Sequence, residues 1–437
     1  MADDKHQGPD TGRFKRLTRL AGLGAKLSTG VVARGVKRLG GGQDALISKE
    51  GAQALVATLG EMKGLAMKVG QMVSMNPELL TPEIRAVVSK LQNQAPPMPY
   101  AVVKQVIEEE LKAPPEALFA EFDQTPLAAA SLGQVHRAVT KDGMKVAVKV
   151  QYPEIRQALK ADLSNINVLV KVLSTSTGLV EGKGYFDEVR EHLENELDYR
   201  REAELARAYA RAAAPLPDVV VPKVFDALTA ERVLTLELLE GQHLKDFLHQ
   251  EPFPPNDQRF AAARLLIRAV WGPFLTSGLM HADPHPGNFL LLPGGKLGVL
   301  DYGSTVKLSD SMRDVNSRMF HAVAQGKPYD PVALSLECGF RIEGKDEVVR
   351  PFINTIIQHA TQHVRSRDFT FEGITPLADV KWHFARNARV MYQVMPPREA
   401  MMFFRALGGL MMNLQSLAAR GDYAQVHLDL AALKPMG

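Results

Sequence analysis

Asp283, Asn288 and Asp301 have the side chains best suited to chemistry, and all three fall in one stretch, HADPHPGNFLLLPGGKLGVLDYGS, from His281 to Ser304. Asn288 stands five residues after Asp283. Between Asn288 and Asp301 the chain reads as a tight hairpin, with an apolar run at 289–292, a turn at Pro293-Gly294-Gly295 and a second run at 297–300. A hairpin folds back on itself, so Asp301 is expected beside Asn288 and Asp283. Two carboxylates and one amide oxygen at a loop mouth suit a hard divalent cation, which takes oxygen ligands. A surface hairpin could carry such acids incidentally, but HxDxxxxN followed by a hairpin and DYG is a long pattern to meet by chance.

The elements that must position these residues begin upstream. Residues 1–12 are polar and expected to be disordered. Residues 13–38 carry eight basic side chains (Arg13, Lys15, Arg16, Arg19, Lys26, Arg34, Lys37, Arg38) and no acid. With Leu17, Leu20, Leu27 and Val31 near helical spacing, this segment can form a basic amphipathic helix of the kind that lies on anionic membranes. Gly22, Gly24, Gly30 and Gly35 weaken it as a helix. A stronger helix is expected over 50–75, with Leu55, Leu59, Met62, Met67 and Met72 on its apolar stripe and Lys68-Val69-Gly70-Gln71 inside it. Spacing alone sends Lys68 and Gln71 to solvent. Pro77 and Pro82 end this helix, and shorter ones follow near 82–91 and 99–112.

From 122 to 152 the period shortens towards two, with a turn at Lys141-Asp142-Gly143, and a small antiparallel sheet is expected. A loop over 126–134, holding Ala128, Ala129, Ala130 and Ser131, opens it. Val146-Ala147-Val148-Lys149 then reads as a strand with one lysine among apolar neighbours, where a lysine needs a partner unless it snorkels from an edge. Helices are expected over 153–174 and 184–212. On the second, Asp198 and Glu202 share a face at i,i+4, where like charges repel unless a cation lies opposite. Lys149 supplies one if Glu202 points at the sheet; otherwise the helix is a solvated acidic one. Strands are expected at 219–228 and 232–238. Glu240-Gly241 then reads as a hinge into a helical second half, with helices at 244–249 and 257–277, the central hairpin, and further helices to about 433.

At 437 residues and 48.0 kDa the chain has room for two lobes. A formal net charge of +3 is too small to argue for nucleic acid. Cys338 is the single cysteine, so no internal disulfide can form and a reducing compartment fits. No apolar run is long enough to span a bilayer, and the first residues lack the features of a signal peptide. A cytosolic protein, attached at most to a membrane surface, is expected.

The order base Asp, Asn five residues on, then Asp-aromatic-Gly is that of kinase catalytic sites, and the sheet followed by Lys149 repeats their phosphate-pairing lysine. Over about 13–418 the sequence resembles the UbiB/AarF atypical kinase-like family, which includes coenzyme Q-associated members. Lys68-Val69-Gly70-Gln71 matches the family's KxGQ motif and Glu196-Leu197-Asp198 its ExD motif. Ala128-Ala129-Ala130-Ser131 matches the alanine-rich loop that replaces the usual glycine-rich one. Lys149 falls at the phosphate-pairing lysine, Glu202 at its ion-pair partner, and Glu237 and Leu239 where the kinase hinge meets adenine. Asp283, Asn288 and Asp301 match the catalytic-loop acid and the two metal ligands.

The resemblance implies an α+β, bilobed protein kinase-like fold, with an antiparallel-sheet N-lobe and a mainly helical C-lobe. The implied divisions are 1–45 (tail and basic segment), 46–121 (helical KxGQ extension), 122–240 (N-lobe with ExD helices) and 241–437 (C-lobe). It further implies that the KxGQ helix lies over the cleft, so that Lys68 and Gln71 meet Glu196 and Asp198 where a peptide substrate would otherwise dock. ATP or ADP and Mg2+ are the implied cofactors, and ATP hydrolysis or phosphotransfer to a small or lipid-like molecule the implied chemistry. Support of ubiquinone or lipid metabolism follows for such a member. The segment 401–418, with Arg405 and Gln415, is a poor membrane span, so attachment is expected through the basic N-terminus. His281 is expected to brace its loop, and His285 receives no role. The competing expectations are a nucleotide-binding scaffold with negligible turnover and an aminoglycoside- or choline-type kinase, whose loops also read HxDxHxxN.

Overall fold

The alternation Val146, Val148, Val150, each fully buried, against exposed Lys145 and half-buried Ala147 and Lys149 makes Lys145–Gln151 a strand with one face in a core. The computed structural model describes residues 97–130, 132–153, 155, 197–374 and 376–433. The basic segment, the expected helices at 50–75 and 82–91, nearly all of that at 153–174, and Lys68, Gly70, Gln71, Ser131 and Glu196 lie outside these residues.

The chain runs α1 (Tyr100–Leu111), α2 (Pro115–Leu118), β1 (Phe119–Ala130), β2 (Gly133–Thr140), β3 (Lys145–Gln151), α3 (Tyr199–Ala213), β4 (Val219–Val220) and β5 (Val233–Glu237). Next come β6 (Gln242–His243), α4 (Leu244–Leu248), α5 (Asn256–Ser277), β7 (Leu279–His281), β8 (Phe289–Leu292), β9 (Lys296–Val299) and β10 (Thr305–Lys307). The helices α6 (Asp310–Ala324), α7 (Pro331–Glu337), α8 (Asp346–Thr361), α9 (Pro376–Arg386), α10 (Ala388–Met391), α11 (Arg398–Leu417) and α12 (Tyr423–Ala431) follow. Two compact units result. The first takes the described residues to Tyr199 with Ala227–Thr235, and the second Arg200–Asp226 with everything from Leu236 onward.

In the first unit, β1, β2 and β3 pair antiparallel in sequence order, with β5 as the fourth strand. The expected turn at 141–143 is present, with Gly143 at φ 83. Helix α1 buries Val103, Val106 and Ile107, the spacing of one helical face. It is tied to the start of β5 by Arg232, whose Nε lies 2.8 Å from Glu110 Oε1. The stretch 126–134 differs from its expectation as a loop. Ala128, Ala129 and Ala130 pair in the ladder with Val135, Gln134 and Gly133. Gly133 lets β2 lie close against β3, because an added Cβ there would lie 2.0 Å from the Val150 carbonyl oxygen. Gly133→Ala is therefore expected to destabilise the protein by about 3 kcal/mol, read as a lower denaturant midpoint.

Two further expectations change. The helix expected through 184–212 begins, among the described residues, only at Tyr199. Asp198 stands just before it, where aspartate favours a helix start, so the shared i,i+4 face with Glu202 does not exist. The strand expected at 219–228 shrinks to β4, since Pro222 brings no N–H to a ladder.

In the second unit, α5 runs through the core with Trp271 and Phe274 buried against Phe320 and Phe403. Pro273 sits inside this helix and leaves the Ala269 carbonyl without its usual N–H. The buried Tyr209 hydroxyl of α3 donates to that carbonyl, which ties α3 to this core. The second sheet runs β4-β9-β8-β6, with β4 parallel to β9 and the rest antiparallel. Gly241, expected as a hinge, packs closely: an added Cβ would lie 2.6 Å from the Leu291 carbonyl oxygen, and β6 pairs Gln242 with Leu291. The chain passes between the compact units at Tyr199–Arg200, at Asp226–Ala227 and last at Thr235–Leu236, inside β5. Among the described residues no helix is long and apolar enough to cross a membrane.

Candidate active site

The hairpin expected between Asn288 and Asp301 forms as β8 and β9, paired Phe289 to Val299 through Leu292 to Lys296. Its turn uses Gly294 and Gly295 at φ 75 and 70, a region that favours glycine. One step further the Leu300 N–H donates to the Asn288 carbonyl at 3.0 Å, so Asp301 leaves the ladder beside Asn288. A second pairing closes the other side. Strands β7 and β10 run antiparallel with His281 opposite Thr305, and the Ala282 N–H donates to the Ser304 carbonyl at 3.2 Å. The loops 282–288 and 301–304 are thus clamped at both ends.

Inside the clamp the Asn288 Nδ2 donates to the Asp283 carbonyl at 3.0 Å and points toward its Oδ2 at 3.4 Å. That turns the amide oxygen to the opposite side. Asp301 Oδ1 accepts the Gly303 N–H at 3.0 Å. Buried His281 donates from Nε2 to the Asp301 carbonyl at 2.6 Å, and burial lowers its pKa. A carbonyl only accepts, so Nε2 carries a proton, and this bond ties His281 to the loop at Asp301. Exposed His285 accepts the Gly287 N–H on its own Nδ1 at 3.1 Å. Tyr302 is fully buried, its hydroxyl donating to the Val299 carbonyl at 2.7 Å. The Tyr302 N–H lies 3.5 Å from Oε1 of buried Glu202, which brings that acid to the DYG turn within the second unit.

Glu237 and Leu239 also belong to the second unit. The Glu237 N–H donates to the Lys223 carbonyl at 2.8 Å, and Leu239 packs on Gly298 of β9. In the first unit Lys149 is half-buried on β3 opposite Val135, with Nζ 4.9 Å from the centre of the buried Tyr199 ring. Ala128 and Ala129 are exposed on β1, and Asp198 is half-buried before α3.

Three partners escaped the sequence reading: Tyr199 beneath Lys149, the β7–β10 pair, and Arg405, whose guanidinium lies 3.7 Å from Asp283 Oδ1. The DYR run at 198–200 offered no signal for a cation–π contact, and strands of three residues are too short for periodicity.

Among the described residues no three His, Cys, Asp or Glu side chains gather as a metal cluster. The oxygens of Asn288 and Asp301 fit magnesium, which takes one or two protein ligands and completes its shell with phosphate and water.

The sequence profile of the ABC1 atypical kinase-like domain matches residues 90–329. The mitochondrial atypical kinase COQ8B of Rattus norvegicus is 32% identical over 72% of this chain and 60% of its own length. COQ8B of Danio rerio is 28% identical over 96% of this chain and 68% of its own length. The chain therefore spans about three-fifths to two-thirds of these relatives. Among solved structures, the Mycobacterium tuberculosis protein Rv3197 in its complex with erythromycin is similar with a TM-score of 0.60 and 30% identity, over 87% of this chain and 96% of that one. With the paired loops, the mixed helices and antiparallel sheets and these matches together, the chain belongs to the ABC1 atypical kinase-like family, the UbiB/AarF group.

Proposed function

We propose that the protein is a Mg-dependent ATPase or phosphotransferase acting on a small or lipid-like molecule, in support of isoprenoid-quinone metabolism. The observation that carries this reading is the double clamp, which sets Asn288 next to Asp301 and turns the Asn288 amide toward Asp283. Asn288 and Asp301 would hold magnesium, which supplies charge neutralisation at the transferring phosphoryl. Asp283 would orient and accept the proton of the attacking water or hydroxyl. Lys149 would orient the phosphates with Glu202 as its partner acid. Ala128, Ala129, Ala130 and Ser131 would cover the phosphates, and Glu237 and Leu239 would meet the base.

The bilobed arrangement, the N-terminal extension with Lys68, Gly70 and Gln71 against Glu196 and Asp198, and attachment to anionic membrane through 13–38 belong to the same proposal. A similar solved protein is in complex with erythromycin, a small molecule, which supports the small-molecule part of this reading. Purified protein with Mg and ATP is expected to release phosphate steadily without an added acceptor. Saturable nucleotide binding with no turnover would favour the scaffold reading instead. In the same preparation, sedimentation with anionic liposomes should fall when residues 1–40 are deleted; equal recovery rules out that segment as the anchor.

A further inference from the structure

Helix α11 is apolar from Ala400 to Leu414 except for Arg405 and Asn413, and Arg405 is the one ionisable side chain in that stretch. A guanidinium in such a helix, only 20% exposed, needs a partner. It has one in the 21% exposed carboxylate of Asp283, at 3.7 Å. Two other residues hold the same helix face to the same loop. Gly409 leaves no room for a side chain, since an added Cβ would lie 2.5 Å from Pro284 Cγ. Asn413 donates from Nδ2 to the Pro284 carbonyl at 2.5 Å. Arg405, Gly409 and Asn413 follow at i, i+4 and i+8, which puts charge, gap and amide on one stripe of the helix.

We infer that this stripe is a positioning device for the catalytic loop, with Arg405 as the positioning residue that fixes the Asp283 carboxylate. The helix lies beyond residues 90–329, so the segment matched by the family profile does not contain it. A guanidinium suits the task because its planar fork keeps its charge at any working pH and restricts the direction of approach. At 3.7 Å the contact orients the acid and leaves its oxygens able to face an acceptor. The inference rests on reading Asp283 as the acceptor-side acid.

Arg405→Ala, Arg405→Lys and Asp283→Asn, each in the full chain, test it by two readouts. In phosphate release with Mg and ATP, Arg405→Ala should lose about thirtyfold in kcat with KM for Mg-ATP unchanged. Arg405→Lys should keep most of the activity, and millimolar guanidinium chloride should restore Arg405→Ala but not Asp283→Asn. In hydrogen exchange, the amides of 283–288 should exchange about fivefold faster in Arg405→Ala and near the wild-type rate in Arg405→Lys. The exchange arm is read whether or not the wild type turns over. A wild type that releases no phosphate therefore counts against the proposed function, while unchanged exchange in Arg405→Ala overturns this inference. A loss of activity that neither lysine nor guanidinium repairs also overturns it, because that is a packing defect only.

Discussion

Asp301→Asn is expected to weaken Mg-nucleotide binding by about a hundredfold, because it removes the only charged member of the pair assigned to the metal. The change is nearly isosteric. The asparagine oxygen can still accept the Gly303 N–H that Asp301 Oδ1 accepts at 3.0 Å, so the fold and thermal midpoint should stay as they are. Asp283→Asn should behave differently, with Mg-nucleotide affinity retained and turnover lost, since Asp283 is assigned to the acceptor and not to the metal. Titration calorimetry with Mg-ATP, and with ATP in chelator, separates the two. Unchanged Mg-nucleotide affinity in Asp301→Asn would remove the metal assignment.

Acidification should destabilise the second unit well above the range where carboxylates titrate. His363 and His427 are buried, with their Nε2 atoms 3.2 Å apart among Phe320, Phe371, Trp271 and Tyr423. Burial pushes His363 down to about 3, and His427 is lowered well below the usual imidazole range, first by burial and then by His363. Above pH 6.5 neither folded nor unfolded chain carries protons at these rings, and they make no pH-dependent contribution. As pH falls below 6.5 the unfolded chain takes up protons that the folded chain refuses, so stability declines until the folded pKa is reached. At pH 5 each histidine that stays neutral costs about 2 kcal/mol. Set against a total stability of about 5–15 kcal/mol, the His363–His427 pair is a large effect. Carboxylates held low by ion pairs, such as Asp330 by Arg350 and Asp368 by Arg420, lose their contribution only at still lower pH. Urea midpoints at pH 7.5 and pH 5.0 provide the check; equal midpoints would mean that the buried imidazoles are hydrated and titrate normally.

Much of the site could be read locally. The β8–β9 hairpin follows from two apolar runs around Pro293-Gly294-Gly295, and the register of a hairpin is set by its turn. The strand that carries Lys149 follows from period two. Where expectation and structure part, the deciding contact is distant. The stretch 126–134 looks like a loop because alanines and a proline carry no β signal, yet Ala128, Ala129 and Ala130 pair with β2, and Gly133 leaves room for β3 on the other side of that strand. Gly241 looks like a hinge because glycine is permissive, yet Leu291 fills the space beside it.

The sequence by itself determined the hairpin, the spacing of Asp283, Asn288 and Asp301, and the family, because turn chemistry and motif order are properties of neighbouring residues. The tertiary structure alone decided that β7 and β10 clamp the two loops, that Tyr199 lies beneath Lys149, and that Arg405 comes from more than a hundred positions away to face Asp283. Those contacts depend on how buried faces pack across long separations, and a single chain of letters carries no local signal for which distant side chain fills a given space.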